Sequence, residues 1–302
     1  MNPQLVLSGI DGSNPLAFLA ALGTLRTLTR AWKDRDVKLS WFVQGGMWAP
    51  TLHSDHVLDQ SQLLNALDAT LEKDATTHSI AFLKCLYKAT PESVRQLFRD
   101  RASVVGAEDR EDLDMLSAMS SELATEATSQ LQTVRRDYFW GNLESVMRHT
   151  TVNHLRRALF QSWDYADPLD NQSLHIEPSE DRRHAYQWSK PSGDPDRKRR
   201  GGMLGANRLA IEAFPLFQSI VAGDKLITRG FTGTRTDNTR WTWPLWSCPI
   251  NLDVAASLLA LSELQAEAPD AQQLRSRGIS VLYRCRRILV EKTPNFTPAQ
   301  PA

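Results

Sequence analysis

Asn14-Pro-Leu-Ala-Phe-Leu-Ala-Ala-Leu-Gly-Thr-Leu-Arg-Thr-Leu-Thr-Arg-Ala-Trp32 is the stretch of sequence that decides the fold. Asparagine is a good N-cap, and the proline that follows it sits at the first helical position, where a missing N–H costs nothing. Leucines recur at helical spacing from Leu16 to Leu28, which predicts a buried helix over residues 14 to 32. One side of this helix is small, which predicts close packing against a sheet or another helix. Its small residues are Ala17, Ala20, Ala21 and Gly23.

Short strands and further helices are predicted on both sides of this helix. A strand is expected over residues 4 to 10, and a hairpin over residues 38 to 52 around Gly45-Gly46. Further helices are predicted over residues 54–71, 90–101, 108–131, 142–160, 207–214 and 252–266. Paired strands are expected at 225–231 and 239–245, with a strand or helix at 279–290. The predicted fold class is α+β, with helices predominating over short strands and a long irregular functional segment.

Two regions are distinguished along the chain. Residues 1–161 form a predicted N-terminal α/β region, and residues 162–302 form a basic, tryptophan-rich C-terminal region. Both can also belong to one continuous domain, because 302 residues suit either one large domain or two ordinary ones. The irregular part, from Trp163 to Trp246, concentrates acids, histidines, arginines and glycines without amphipathic periodicity, and such segments often carry function.

Composition favours a soluble protein of the cytoplasm. Hydrophobic residues make up 41% and charged residues 23% of the chain, values typical of a globular protein. The apolar stretch Pro15 to Leu22 is too short to cross a bilayer, and no signal-peptide pattern opens the chain, so no membrane partner is expected. Three widely spaced cysteines form no zinc or disulfide pattern, which indicates reduced thiols.

Positive charge is concentrated in the second half of a chain whose formal net charge is zero. Residues 106 to 126 hold seven acids against Arg110 alone, whereas residues 182 to 240 hold twelve lysines or arginines against five acids. Five more arginines follow, at positions 275, 277, 284, 286 and 287. Such a distribution favours contact with nucleic-acid phosphates, although a solvated surface or an internal acidic partner would also account for it.

Acids and histidines between Trp163 and His184 form a candidate metal or catalytic site. Divalent cations prefer clustered carboxylates, and histidine adds a nitrogen ligand. The candidate residues are Asp167, Asp170, His175, Glu177 and His184. They match no metalloenzyme or nucleophile motif, and aspartates also cap turns and pair with arginines. A metal-dependent nuclease or hydrolase is therefore the alternative hypothesis, and no metal or other cofactor is assigned.

Arginines and tryptophans of the same segment suit a binding surface better. The glycines that begin at Gly201 lack the lysine and hydroxyl of a phosphate loop, but they would let the backbone approach a phosphate closely. Trp241 and Trp243 share one face if they lie on a strand, where they could stack on bases or simply pack in the core. The predicted nucleic-acid contacts are Arg197, Lys198, Arg199, Arg200, Arg208, Arg229, Arg235, Trp241 and Trp243.

The opening Leu7 to Arg26 resembles that of CRISPR-associated proteins from type I-G (formerly I-U) systems, in which a strand and turn lead into an Asn-Pro-Leu-type helix. Internal blocks are also similar to proteins of these loci, either large-subunit-like proteins or the helicase-nuclease-extension family. These blocks are Asp167-Pro-Leu-Asp170, Glu177-Pro-Ser-Glu-Asp-Arg-Arg183, Gly205-Ala-Asn-Arg-Leu-Ala210 and Thr242-Trp-Pro-Leu-Trp246.

The resemblance implies a subunit or accessory factor of an RNA-guided antiviral effector complex. Its partners would be other Cas effector subunits together with guide RNA, target DNA or both. Base pairing reads the sequence in such complexes, whereas the protein holds backbone and shape, so a noncatalytic role is expected. A further hypothesis is a pure protein-interaction factor whose basic face docks an acidic partner. The resemblance transfers no individual site residue.

Overall fold

The computed structural model describes residues 3–77, 89–104, 110–120, 129–133, 136–168, 172–177, 201–223, 225–233, 239–290 and 293–302. Within them the fold is α+β, as predicted, with 46% of residues helical and 22% in strands. The predicted contacts Arg197, Lys198, Arg199, Arg200 and Arg235, and the candidate ligands Asp170 and His184, lie outside these residues.

Helix α1 (Pro15–Ala31) occupies the centre of the molecule. The Oδ1 atom of Asn14 accepts hydrogen bonds from the backbone N–H groups of Leu16 and Ala17, at 2.9 and 3.2 Å, so the predicted cap is confirmed. Every residue from Pro15 to Leu28 is buried. A helix buried all round must pack against neighbours on every side, and this explains why it lacks a polar face.

Three small sheets flank the helices. The N-terminal sheet has the order β1-β3-β2 and contains β1 (Gln4–Val6), β2 (Lys38–Gln44) and β3 (Met47–His53), the last two forming the predicted hairpin. A separate hairpin joins β4 (Ser219–Ala222) to β5 (Lys225–Thr228). The C-terminal sheet has the order β10-β8-β7-β6, with β9 also paired to β8. Its strands are β6 (Phe231–Thr232), β7 (Arg240–Trp246), β8 (Ile279–Val290), β9 (Thr293–Phe296) and β10 (Gln300–Pro301).

Eight further helices of the described residues follow α1 in the chain. They are α2 (Gln60–Thr77), α3 (Pro91–Val104), α4 (Glu111–Met119), α5 (Arg136–His149), α6 (Val152–Phe160), α7 (Leu204–Ala213), α8 (Leu252–Leu259) and α9 (Ala271–Ser276). Two short 3₁₀ turns lie at Phe214–Leu216 and Ser262–Gln265. None of the helices in the described ranges is long and apolar enough to span a bilayer.

Several observed elements differ from the predicted ones because of local chain geometry. The predicted helix at 142–160 is two helices, since Thr151 is extended and forms a capping box with His154 that starts α6. The predicted acidic helix at 108–131 stops at Met119, where Ser120 turns to an extended conformation. Residues 225–228 of the predicted strand at 225–231 form β5, which pairs with β4 because the chain reverses at Gly223 in a left-handed conformation. Phe231, at the end of the predicted strand, belongs to β6 and pairs with Trp241 of β7, as expected.

One hydrophobic core contains residues from both halves of the chain. It extends from Leu7 to Phe296 and includes Phe18 of α1 and the aromatic side chains of β7. The ring of Phe18 stacks between Trp41 and Trp243, at centroid distances of 5.9 and 5.7 Å. The boundary placed after residue 161 therefore does not separate two cores.

Helices α1 and α7 pack closely against each other at Gly23. A Cβ atom built on Gly23 would lie 1.8 Å from the carbonyl oxygen of Leu209. Only glycine therefore allows the two backbones to approach this closely, and the small face predicted for α1 is confirmed at this position.

We predict that Gly23→Ala lowers the free energy of unfolding by more than about 2 kcal/mol, because the added methyl group must push α7 away. Gly141→Ala is the matched control: that glycine lies in α5 and its Cβ would contact nothing within 4 Å. There alanine should raise stability by up to about 1 kcal/mol through helix propensity. Urea unfolding of both variants checks this, and equal effects of the two substitutions would contradict it.

Candidate nucleic-acid interface

The two predicted stacking residues are in the core. Trp241 and Trp243 are both fully buried. Trp241 stacks on Phe231 at 5.4 Å, and Trp243 donates its indole N–H to the carbonyl oxygen of Gly12 at 2.9 Å. They do share one face of β7, as the spacing predicts, but that face is turned toward the core. The prediction that they stack on bases is therefore wrong.

Arg208 is also a core residue rather than a phosphate contact. Its side chain is 1% exposed and donates to Glu212 at 2.7 Å and to the carbonyl oxygen of Leu71 at 3.2 Å. Arg26 and Arg30 of α1 reach the other oxygen of Glu212 at 3.2 Å each. Glu212 thus ties α1 to α7 at a position closed to solvent. The prediction that Arg208 contacts nucleic acid is corrected by this burial.

Arg229 is engaged with its own chain as well. Its guanidinium is half-buried and donates to the carbonyl oxygen of Leu216 at 3.2 Å and to the amide oxygen of Gln218 at 3.4 Å. Burial lowers the pKa of Arg229 because the charged form loses hydration. These contacts fix the start of the β4–β5 hairpin, so the predicted phosphate contact has a structural role in this conformation.

Asp167 is a structural residue at the start of α7. One carboxylate oxygen accepts the backbone N–H of Leu204 at 2.7 Å, and the other accepts a guanidinium N–H of Arg157. The same guanidinium bonds Asp164 at 2.5 Å, and this bond lowers the pKa of the Asp164 carboxyl. Asp164 and Asp167 therefore stabilise the local fold through ion pairs and backbone hydrogen bonds. This structural role is the alternative that the sequence also allowed.

The first glycine after the basic run packs against the backbone of Asp167. A Cβ atom on Gly201 would lie 2.0 Å from the carbonyl oxygen of Asp167. Gly202 forms an antiparallel bridge with Asp167, donating its N–H to that oxygen at 2.7 Å. The close approach that glycine allows is made to the protein's own backbone, which corrects the prediction of a close approach to phosphate at this position.

Glu177 and His175 lie in a buried segment between the helices. Glu177 is 5% exposed and accepts the side-chain N–H of Asn14 at 2.7 Å, so it orients the residue that caps α1. The segment is held from α7 by Asn207, whose Oδ1 accepts the N–H of Leu174 at 2.8 Å. In the described part of the chain, no three His, Cys, Asp or Glu side chains are placed to share a metal ion. The predicted cluster is therefore not assembled from its described members.

A row of arginines lies on the outer side of the C-terminal sheet. Side chains alternate along a strand, so Arg240 points away from the core face formed by Trp241. Arg240 is directly opposite Arg286 in the antiparallel register, and Thr242 is opposite Arg284. We call the outer side formed by Arg240, Arg284 and Arg286 the arginine face. The positive charges are visible in the sequence, but only the strand register brings these three side chains together.

One carboxylate neutralises part of the arginine face. Glu267, in the loop after the second 3₁₀ turn, ion-pairs with Nη1 of Arg240. Hydrogen bonding and attraction from Arg240, with further attraction from Arg284 and Arg286, lower the pKa of Glu267. Arg240 thus contacts this carboxylate, while Arg284 and Arg286 attract it from farther away. Like charges directly opposite across two strands destabilise a sheet, so this pattern favours an anion as an additional partner.

Arg286 is the most available member of the arginine face. It is exposed, and no hydrogen bond or ion pair of its guanidinium is found within the described ranges. Arg284, in contrast, donates to Thr242 at 2.9 Å and to three carbonyl oxygens of the loop from Leu264 to Glu267. Arg284 therefore anchors that loop, while Arg240 and Arg286 provide the charge that faces solvent.

We predict that acid destabilises the protein through His175. Burial lowers the pKa of His175 from 6.5 to about 4, and Nδ1 of its imidazole has no access to solvent. The unfolded chain takes up this proton near pH 6.5 and the folded chain only near pH 4, so stability falls between these values. The loss should be on the order of 3 kcal/mol.

His175→Asn should remove most of this pH dependence. Asparagine tolerates the left-handed conformation that the residue adopts, with φ of 56°. His149→Asn, which removes an exposed histidine of α5, is the control substitution. Urea unfolding at neutral and acidic pH measures both, and an unchanged pH profile in His175→Asn would contradict the assignment.

Comparisons with protein-family models, with curated proteins and with solved structures gave no match to this chain. The candidate interface therefore rests on the geometry of its own residues. The resemblance to type I-G CRISPR-associated proteins stays a prediction from sequence blocks.

Proposed function

We propose that the chain is a noncatalytic, nucleic-acid-binding subunit or accessory factor of a CRISPR RNA-guided antiviral effector complex. The observation that carries the proposal is the arginine face, where Arg240 and Arg286 lie opposite each other and, among the described residues, one carboxylate, that of Glu267, pairs with Arg240. Arginines on neighbouring strands suit the repeated phosphates of a guide RNA or target DNA backbone. Such a surface binds backbone without reading sequence, which suits a complex in which base pairing does the reading.

We also assign to the proposed interface the basic run Arg197-Lys-Arg-Arg200 and Arg235. Gly201 follows the run directly and its backbone packs against Asp167, so the chain just after the run has a fixed position. Arg235 lies in sequence between β6 and β7, shortly before Arg240 of the arginine face. Both add positive charge to the half of the chain that carries the arginine face.

Other Cas effector subunits are the proposed protein partners, and the cytoplasm is the proposed location. The β4–β5 hairpin supports protein contact, because Ile220 and its cross-strand neighbour Ile227 are 62% and 38% exposed. Exposed apolar pairs on a narrow hairpin favour burial against another protein. The buried thiol of Cys285 and the exposed Cys248 form no disulfide with each other, in keeping with a reducing location.

We predict that the whole chain binds labelled single-stranded RNA or duplex DNA at low salt, and that Arg240→Ala with Arg286→Ala weakens binding about tenfold. Each lost phosphate contact should also reduce the slope of log affinity against log salt by roughly 0.7 to 0.9. Fluorescence anisotropy across about 50 to 200 mM salt measures both quantities. Arg95→Ala is the control, because Arg95 is a similarly exposed arginine on α3 that pairs with Glu92. Absence of binding at low salt would contradict the proposal.

We predict that replacing Arg197, Lys198, Arg199 and Arg200 together with alanine also weakens binding and lowers the salt slope. Removing four cationic side chains releases fewer counterions when the nucleic acid binds. The same anisotropy titration measures the effect, with thermal unfolding as a check on folding. Binding that keeps its affinity and slope would exclude the run from the interface. Capture of an acidic protein that resists nuclease treatment, without nucleic-acid binding, would favour the protein-interaction hypothesis instead.

A further inference from the structure

Glu267 and Glu212 both ion-pair with arginines, but their surroundings differ. Glu212 is fully buried among Arg26, Arg30 and Arg208, so its removal would leave cations away from water. The side chain of Glu267 is 79% exposed, and its described hydrogen bonds go to Arg240 alone. Glu212 is therefore a fixed part of the core, whereas Glu267 can leave its partner at little cost.

The loop that carries Glu267 keeps its place without the Glu267 side chain. Arg284 donates to the backbone carbonyl oxygens of Ala266 at 2.6 Å and Glu267 at 3.1 Å. Beneath the loop, Leu264 packs with Leu274, Ile279 and Leu282 in a separate small cluster. The carboxylate can thus rotate toward solvent while the backbone stays bound to the sheet. An anion could then reach Arg240 without unfolding the loop.

We propose that Glu267 occupies the position of a nucleic-acid phosphate on the arginine face and is displaced when the nucleic acid binds. The carboxylate of Glu267 is an internal competitor, since it places a negative charge and two acceptor oxygens against Arg240 in the unbound protein. This inference rests on the proposed function and assigns the ligand of this surface as the phosphodiester backbone.

Glu267 and a phosphate compete because both are anions that pair with the same guanidinium, that of Arg240. Glu267 pairs with Arg240, which lies opposite Arg286, and Arg284 bonds the backbone carbonyl oxygen of Glu267, so this carboxylate lies among three cations of one surface. A single small anion gains little by replacing a carboxylate that is tethered beside Arg240. A nucleic acid gains more, because one phosphate can replace Glu267 while the next contacts Arg286, which lies directly opposite Arg240. The arrangement therefore favours a polyanion over phosphate ions.

The test measures binding of a labelled single-stranded oligonucleotide to the whole chain by anisotropy at low salt. Glu267→Gln keeps the size of the side chain and removes its charge, so affinity should rise by about threefold, the range expected for one exposed ion pair. The slope against log salt should steepen by roughly 0.7, because no displaced carboxylate takes up a counterion. Inorganic phosphate should compete weakly with the oligonucleotide for both proteins.

Glu263→Gln is the matched control. Glu263 belongs to the neighbouring 3₁₀ turn, pairs with Arg277, and its substitution removes the same charge. Affinity should stay unchanged in this variant. An equal rise in both glutamine variants would indicate a general charge effect and overturn the inference.

Two further outcomes separate the inference from the proposed function. If Arg240→Ala with Arg286→Ala weakens binding while Glu267→Gln has no effect, the arginine face binds nucleic acid and the competitor role is wrong. If none of these variants changes the affinity, the arginine face is not the interface and both proposals fail for this surface. Thermal unfolding checks that each variant is folded. Glu267→Gln should fold normally because the side chain of Glu267 is exposed.

Discussion

The contact between α1 and α7 is the constraint on which the rest of the structure depends. Gly23 brings the two backbones together, and Glu212 then accepts hydrogen bonds from arginines of both helices inside the core. Because α1 is buried on every side, its other faces receive α2, the N-terminal sheet and the tryptophans of β7. Asn14, which caps α1, also donates a hydrogen bond to Glu177 and so links α1 to the irregular segment.

Arginine has two different roles in this molecule, and burial separates them. Arg26, Arg208 and Arg157 donate to carboxylates that hold helices and turns in place, and loss of one partner there would leave an uncompensated charge. Arg240 and Arg286 lie where solvent and ligands can reach them, on strands whose opposite face is core. The sheet thus fixes the spacing of the exposed cations, while its tryptophans pack in the core.

Local sequence signals predicted much of the fold. The Asn-Pro opening of α1, the Gly-Gly hairpin and the helical leucine spacing all gave elements that the structure confirms, because each depends on neighbouring residues. Trp241 and Trp243 show the limit of such signals: period two predicts that they share a face, but not that this face is buried. Likewise the acids near Asp167 were visible in the sequence, while their arginine partner on α6 was not assigned to them.

The sequence by itself determined the α+β class, the central helix with its cap and small face, and the excess of positive charge in the second half. These properties follow from composition and from residues close together in the chain. Only the tertiary structure decided which charged groups are enclosed and which face solvent. Arg240, Arg284, Arg286 and Glu267 meet because strand register and one loop bring them together, and pairing between distant segments depends on packing that no local pattern records.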